Sequence, residues 1–211
     1  MSVPKRVKLS CAVCSAVSEQ TILLSTNRFG APDLDLRPAE MMRSTMPWWI
    51  QECPKCNYVS TSINKAPKIN KHWLMSDEYQ NCPQFASRLA KSFYRHYLIC
   101  RKIGAHNDAF QAALRAAWCC DDMNDTEKAT LCRTLALDQL HSVMNLGRQN
   151  DTLIVVKSDL LRRSGRFDEV IKEFDGVELT DKLCSDILSF EVAKAKEKDS
   201  ECYTVDDVTN S

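Results

Sequence analysis

Four cysteines in the pattern C-x2-C-x38-C-x2-C, at Cys11, Cys14, Cys53 and Cys56, carry the clearest chemistry in this 211-residue chain. Zinc prefers four soft ligands in a tetrahedron, with Zn–S near 2.3 Å, and two C-x-x-C turns can aim four thiolates at one ion. The chain has eleven cysteines in all. An odd count without an export signal argues against a complete disulfide framework and for a reducing compartment, where clustered cysteines are more often metal ligands than bridges. One structural Zn2+ per chain is therefore expected. A redox C-x-x-C is the competing reading, but such sites need one pair in a βαβ context rather than two matched pairs. A catalytic zinc is disfavoured as well, because four thiolates leave no position open for water. Asn57 follows the second pair, where the turn needs a residue that tolerates positive φ; Ser15 is the less favourable counterpart after the first.

The other seven cysteines (Cys82, Cys100, Cys119, Cys120, Cys132, Cys184 and Cys202) show no paired spacing except the adjacent Cys119-Cys120. Neighbours on a helix point about 100° apart, so that pair is poorly placed for one ion, and buried free thiols act as small hydrophobes. Between the two C-x-x-C pairs, Asp33, Asp35 and Arg37 alternate with leucines and can share one face of an extended segment. They could bind a second cation or perform acid/base work. The favoured reading is a structural loop in which Arg37 and nearby amides neutralise the aspartates, since no histidine or third carboxylate is close in sequence. Arg162, Arg163 and Arg166 could grip a phosphate or a peptide carboxylate, with a solvated surface as the alternative. Asp121-Asp122 read as a solvated helix end. His72, His96, His106 and His141 are scattered, and the phosphate-loop, dinucleotide and nucleophile-elbow motifs are absent from the sequence. No catalytic residue is assigned, and an enzyme is not the expectation.

The elements that must position these residues come in two textures. A spacer of 38 residues exceeds the usual ~15–20 for paired C-x-x-C motifs. Residues 1–75 are therefore read as a zinc ribbon with an inserted segment, with strands at Thr21–Ser25 and Trp48–Glu52. From Gln84 the pattern turns helical. Phe85, Leu89, Phe93 and Tyr97 form one apolar stripe to about Lys102. Gly104 stops that helix and Asn107 or Asp108 caps an alanine-rich one through Trp118. Asn124-Asp125-Thr126 caps a third helix to about Leu146, and a fourth runs from Asp151 to Gly165. Gly104 is followed at offsets of five and nine by Ala109 and Ala113, and Gly165 by Val170 and Phe174. That echo suggests antiparallel, tetratricopeptide-like (TPR-like) helical hairpins over residues 84–197, although the separation of 61 is not that repeat's period of about 34. A last helix spans roughly Thr180 to Lys196, and residues 198–211 read as a flexible or loosely docked tail. The fold class is mainly α with a small β zinc-binding module.

The first third resembles a known family. Cys11-x-x-Cys14, then Asp33-x-Asp35-x-Arg37-Pro38, then Pro47-Trp48-Trp49 running into Cys53-Pro-Lys-Cys56-Asn-Tyr58, is similar to the bacterial DUF2225 family. That family combines a cysteine-rich N-terminal module with tetratricopeptide-like helices. It usually carries Gly after each Cys pair, where this chain has Ser15 and Asn57. The family has no established activity, so the resemblance implies a fold and a metal rather than a reaction.

Composition bounds the rest. Hydrophobic residues make up 44%, which suits a globular chain, and no apolar run approaches the roughly 20 residues that cross a bilayer. Residues 1–10 are charged and lack an apolar stretch, so a secretory signal is not expected. Residues 1–72 carry ten Lys/Arg against five Asp/Glu, a net of +5, and residues 73–211 carry a net of −5. The expected function is a cytoplasmic protein-interaction scaffold stabilised by zinc, without a membrane partner. The alternative is nucleic-acid binding through the ribbon, by Lys5, Arg6, Lys8, Lys55, Lys65, Lys68 and Lys71 with Trp48, Trp49, Tyr58 and Trp73 for stacking. A metal- or thiol-dependent enzyme comes third.

Overall fold

Two antiparallel hairpins lead into a series of helices in the computed structural model, which describes residues 1–148 and 150–210. Strand β1 (Val3–Ser10) pairs with β2 (Val17–Ser25), and Ser10 faces Val17, so residues 11–16 form the hairpin's tip. Strand β3 (Gln51–Glu52) pairs with β4 (Val59–Ser60), and Glu52 faces Val59, which makes residues 53–58 the second tip. Each C-x-x-C is thus the turn of its own hairpin.

Two features of the first third differ from expectation. β1 was not anticipated, because Pro4, Lys5, Arg6 and Lys8 hide a strand whose residues are mostly exposed. The strand expected over Trp48–Glu52 shrinks to Gln51–Glu52, because Arg43–Trp48 winds into a 3-10 helix. Pro47 lacks the N–H a ladder needs. The Thr45 hydroxyl donates to the Met42 carbonyl at 2.7 Å and accepts from the Trp49 indole at 2.8 Å, closing the turns on themselves.

After the short α1 (Asp77–Gln80) come α2 (Arg88–Lys102), α3 (His106–Asp121), α4 (Thr126–Val143), α5 (Asp151–Arg163), α6 (Phe167–Phe174), α7 (Lys182–Lys196) and α8 (Val205–Thr209). The starts of α2, α4, α5 and α7 are set by side-chain caps: Ser87, Asp125, Asn150 and Asp181 each accept from a backbone amide in the first turn. α3 begins at His106, one or two residues before the expected cap. Gly104 (φ +69°) turns the chain so sharply that Ala105 already donates back to Cys100. Gly165 (φ +75°) repeats the device, with Arg166 donating to Leu161. The residues five and nine positions after each glycine, Ala109, Ala113, Val170 and Phe174, are all buried. Consecutive helices pack on one another from α2 to α6, and α7 closes against α5 and α6. The alanines of α3 (Ala109, Ala112, Ala113, Ala116 and Ala117) are all buried where it meets α2 and α4.

One apolar cluster runs from Cys11, Ile50 and Tyr58 through Phe93 and Trp118 to Val192, so the hairpins and the helices share a core. The C-terminal segment, expected at 198–211 as a flexible or loosely docked tail, is docked. Thr204 bridges Asp33, Tyr203 accepts from the Leu34 amide at 2.9 Å, and Val205 donates to the Pro32 carbonyl at 3.0 Å. Leu34 inserts with Val155 and Ile187 into a second apolar cluster lined by Phe190, Tyr203 and Val205. The polar composition of the tail concealed this, because its hold is mainly backbone pairing and one aromatic ring. The last residue of that tail, Ser211, lies outside the described residues. Among the described residues no helix is long and apolar enough to cross a membrane.

Candidate metal centre

The two hairpin tips are built alike. At the first, Cys11 donates its amide to the Ala16 carbonyl at 2.9 Å and accepts from the Ser15 amide at 2.9 Å. At the second, Cys53 donates to Tyr58 at 2.8 Å and accepts from Asn57 at 3.0 Å. Both turns need a left-handed residue directly after the second cysteine, and Ser15 (φ 60°) and Asn57 (φ 58°) supply it. Asn tolerates that conformation well; Ser15 adopts it too, held by the hydrogen bonds of its turn.

The four Sγ atoms lie within 4.8 Å of one another, with Cys11–Cys56 at 3.7 Å and Cys14–Cys53 at 3.6 Å. Four sulfurs around an ion at a 2.3 Å bond length sit about 3.8 Å apart, so the donor set matches a tetrahedral thiolate site. The thiols are free, with no disulfide among them. Cys53 is 0% exposed, Cys11 1% and Cys56 8%. Burial pushes the Cys11 and Cys56 thiols up. At Cys14 burial is outweighed by the Ala16 amide and the neighbouring thiols, which take it down to about 7. A bound dication would reverse the cost of burial by neutralising the thiolates. Among the described residues these four are the group of three or more His, Cys, Asp or Glu side chains gathered at ligand spacing.

Sequence reasoning missed the side chains that hold the tips. Tyr79 donates to the Asn57 carbonyl at 2.8 Å and accepts from the Val59 amide at 3.3 Å. Asn57 donates its side-chain amide to Gln80 at 2.9 Å. Gln51 accepts from the Ile63 amide at 3.0 Å, and Ile63 in turn accepts from the Ala12 amide at 2.9 Å, tying the two tips together. Glu52 joins the module to α2, accepting from Arg95 at 2.9 Å and Ser92 at 2.8 Å. No local pattern marks these residues; only their partners, 12 to 43 positions away, do.

In the Asp33-Asp35-Arg37 loop each charged side chain has a fixed partner, and the partners extend beyond Arg37. Asp33 pairs with Arg43. Asp35, fully buried, accepts from the Trp118 indole at 2.7 Å, from Arg163 at 3.2 Å and from the Arg37 amide at 3.1 Å. The Arg37 guanidinium reaches Asp122 at 2.6 Å. Leu36 takes φ 69°, so the segment turns rather than extending and the three side chains diverge. Asp121, read as a solvated helix end, instead receives Arg133 and Arg163.

Arg162, Arg163 and Arg166 do not converge: Arg162 and Arg163 turn inward, and Arg166 stays at the surface beside Glu169. Arg162 is 0% exposed. It donates to Glu191 at 2.5 Å, to Asp159 at 3.2 Å and to the carbonyls of Asp199 and Glu201, both at 2.9 Å. Arg163 bridges Asp35 and Asp121, and Arg166 binds Glu169 on its own helix. Charged residues at an (i, i+1) spacing look alike in sequence, and here they face different interiors. His96 is a satisfied interior residue, its ring 3.7 Å from the Cys100 sulfur.

Burial, opposed by Arg162, pushes the Glu191 carboxyl up to about 8. Burial also pulls His96 down to about 4, with Arg115 adding to it. A carboxyl raised in the folded state stabilises below its ordinary value, and that contribution is lost as pH rises through the folded value. A depressed histidine stabilises above its ordinary value of 6.5, and that is lost as pH falls. From these two groups the opposing slopes cancel between about pH 4.5 and 6.5, and above pH 6.5 only the Glu191 loss remains, a fall of on the order of 1–2 kcal/mol by pH 8. Urea denaturation across this range checks it. Glu191→Gln should flatten the alkaline limb, and an unchanged limb would contradict the assignment.

Comparison with protein-family models, curated proteins and solved structures found no significant match.

Proposed function

We propose that this chain is a protein-interaction scaffold of the cytoplasm, with a structural zinc at Cys11, Cys14, Cys53 and Cys56 and a TPR-like helical array that presents the partner-binding surface. The observation that carries the reading is how the charged side chains are used. Asp33, Asp35, Asp121, Asp122, Asp159 and Glu191 each face an arginine, and together they lock loop, helices and tail into one framework. Four thiolates around a tetrahedral ion leave it no free position, which suits a structural rather than a hydrolytic role. Stacked helix pairs offer extended surfaces for peptides and proteins. The resemblance of the cysteine pairs, the Asp33-x-Asp35-x-Arg37-Pro38 segment and the Pro47-Trp48-Trp49 segment to DUF2225 proteins points the same way.

A second reading rests on the first hairpin. Lys5, Arg6 and Lys8 are exposed on β1, and Lys55 is exposed at the second tip, a basic edge that could track a phosphate backbone. Capture of the tagged full-length chain from native lysate, with and without nuclease, separates the two. The scaffold reading expects stoichiometric protein partners that survive nuclease. Partners that vanish with nuclease, on a complex whose affinity drops steeply with salt, would transfer the role to the hairpin.

A further inference from the structure

Arginines in this protein are almost all paired. Among those whose side chains are described, Arg6, Arg37, Arg43, Arg88, Arg95, Arg101, Arg133, Arg162, Arg163 and Arg166 each lie within ion-pair distance of a carboxylate. Arg28 and Arg115 have no such partner, and the two line the same cavity, of about 360 Å3. That is within the range of small-ligand sites.

The cavity is built by one face of α3 against the inserted loop. Gln111, Arg115 and Trp118 fall at i, i+4 and i+7, a single helical stripe. Opposite them stand Leu36 and Trp49. Both indoles have their N–H groups turned away to fixed acceptors, Trp118 to Asp35 and Trp49 to Thr45. Leu36 is 45% exposed, held outward by its left-handed backbone. The walls are therefore rigid and apolar before anything binds. Arg115 sits with its Cζ 5.2 Å from the Trp49 ring centroid, a cation–π contact that satisfies none of its N–H donors. Its Nε is buried without a hydrogen-bond partner. Burial lowers its pKa, opposed only by the more distant Asp108. A half-buried guanidinium without a counter-ion is costly, and the other interior arginines avoid that cost.

We propose that this cavity binds an organic carboxylate with an aromatic or branched apolar body, the carboxylate taken by Arg115 and Arg28 and the body by Trp118, Leu36 and Trp49. A planar guanidinium matches a carboxylate two bonds at a time, which a point charge cannot do. The site is separate from the four cysteines and does not depend on the scaffold reading. The same chemistry could come from a free small acid or from the C-terminal carboxylate of a polypeptide ending in an apolar residue.

Titration of the full-length protein with phenylacetate, followed by the indole N–H signals in two-dimensional NMR, tests the proposal. Phenylacetate has ten heavy atoms, so dissociation constants of order 1 mM are expected. The Trp49 and Trp118 signals should move together, and phenylacetamide should bind at least about tenfold more weakly, because it lacks the charge. Arg115→Gln should lose binding while its Tm stays at or above that of the unaltered chain, since no buried carboxylate is stranded. Arg115→Lys should retain only part of the affinity. Arg28→Gln, at the exposed rim, weakens binding without any route to misfolding, so the proposal stays testable if position 115 is intolerant. A hexapeptide ending in Phe, as free acid and as amide, distinguishes the sources. Selective, tighter binding of the acid form assigns the site to a chain terminus, and equal affinity with phenylacetate assigns it to a free acid. Equal binding of phenylacetate and phenylacetamide, undiminished binding by Arg28→Gln and Arg115→Lys, or indole signals unmoved at about ten times the expected constant would each overturn it.

Discussion

Chelating the zinc proposed at Cys11, Cys14, Cys53 and Cys56, or replacing Cys53 by serine, should unfold the first third of the chain. The hairpins that present the ligands are small: β3 and β4 have two residues each, and β1 is mostly exposed. Such pieces bury too little apolar surface to stand alone. A structural zinc contributes about 10–16 kcal/mol of apparent binding free energy, as large as the ~5–15 kcal/mol that stabilises a whole domain. The purified protein should carry one equivalent of zinc by elemental analysis. Its removal should expose residues 1–75 to protease and change the fluorescence of Trp48, Trp49 and Trp73, all within that segment. Loss should spread into α2, because Glu52 and Tyr79 connect the second tip to Arg95. A metal-free chain that keeps residues 1–75 protected would refute the structural role.

Arg162→Met should cost about 3–5 kcal/mol, the range found when one partner of a buried ion pair is removed. The substitution leaves Asp159 and Glu191, 1% and 0% exposed, without the cation that faces both. It also removes the two donors that hold the carbonyls of Asp199 and Glu201, and the guanidinium that lies over the Tyr203 ring. The tail after Lys196 should then become a site of early proteolysis even where the core survives. Replacing Arg162, Asp159 and Glu191 together by apolar residues of similar volume should recover most of the loss, because the desolvation of three buried ionisable groups disappears with them. Denaturant midpoints of the single and triple variants decide this; a single variant within about 1 kcal/mol of the parent would show that the cluster carries little.

Several elements could be read from sequence because their causes are local. The start of α4 follows from Asp125 as its cap, and the turns at Gly104 and Gly165 from their left-handed backbones, whereas the caps at Ser87, Asn150 and Asp181 emerge only in the structure. The cysteine quartet was legible for a related reason. Two pairs of thiols, each separated by two residues, on two turns leave few chemical uses other than one metal ion. β1 and the 3-10 helix at Arg43–Trp48 were not legible, since a polar, exposed strand lacks the alternation that marks burial, and Thr45 closes its turns through side-chain bonds that spacing does not announce.

By itself, then, the amino-acid order marked out the cysteine quartet, the mainly helical character of residues 84–197 and the glycine turns between helices. These depend on contacts within a few residues or on the identity of four atoms. The fate of the charges was decided only by the tertiary structure. Asp35 meets Arg163 across 128 positions, Arg37 meets Asp122 across 85, and Arg162 meets Glu191 across 29. An arginine bound for water and one bound for a buried carboxylate have the same local sequence requirements, and differ only in what the completed fold places opposite them. The same holds for Arg28 and Arg115, which the fold brings together at one cavity and leaves without a carboxylate.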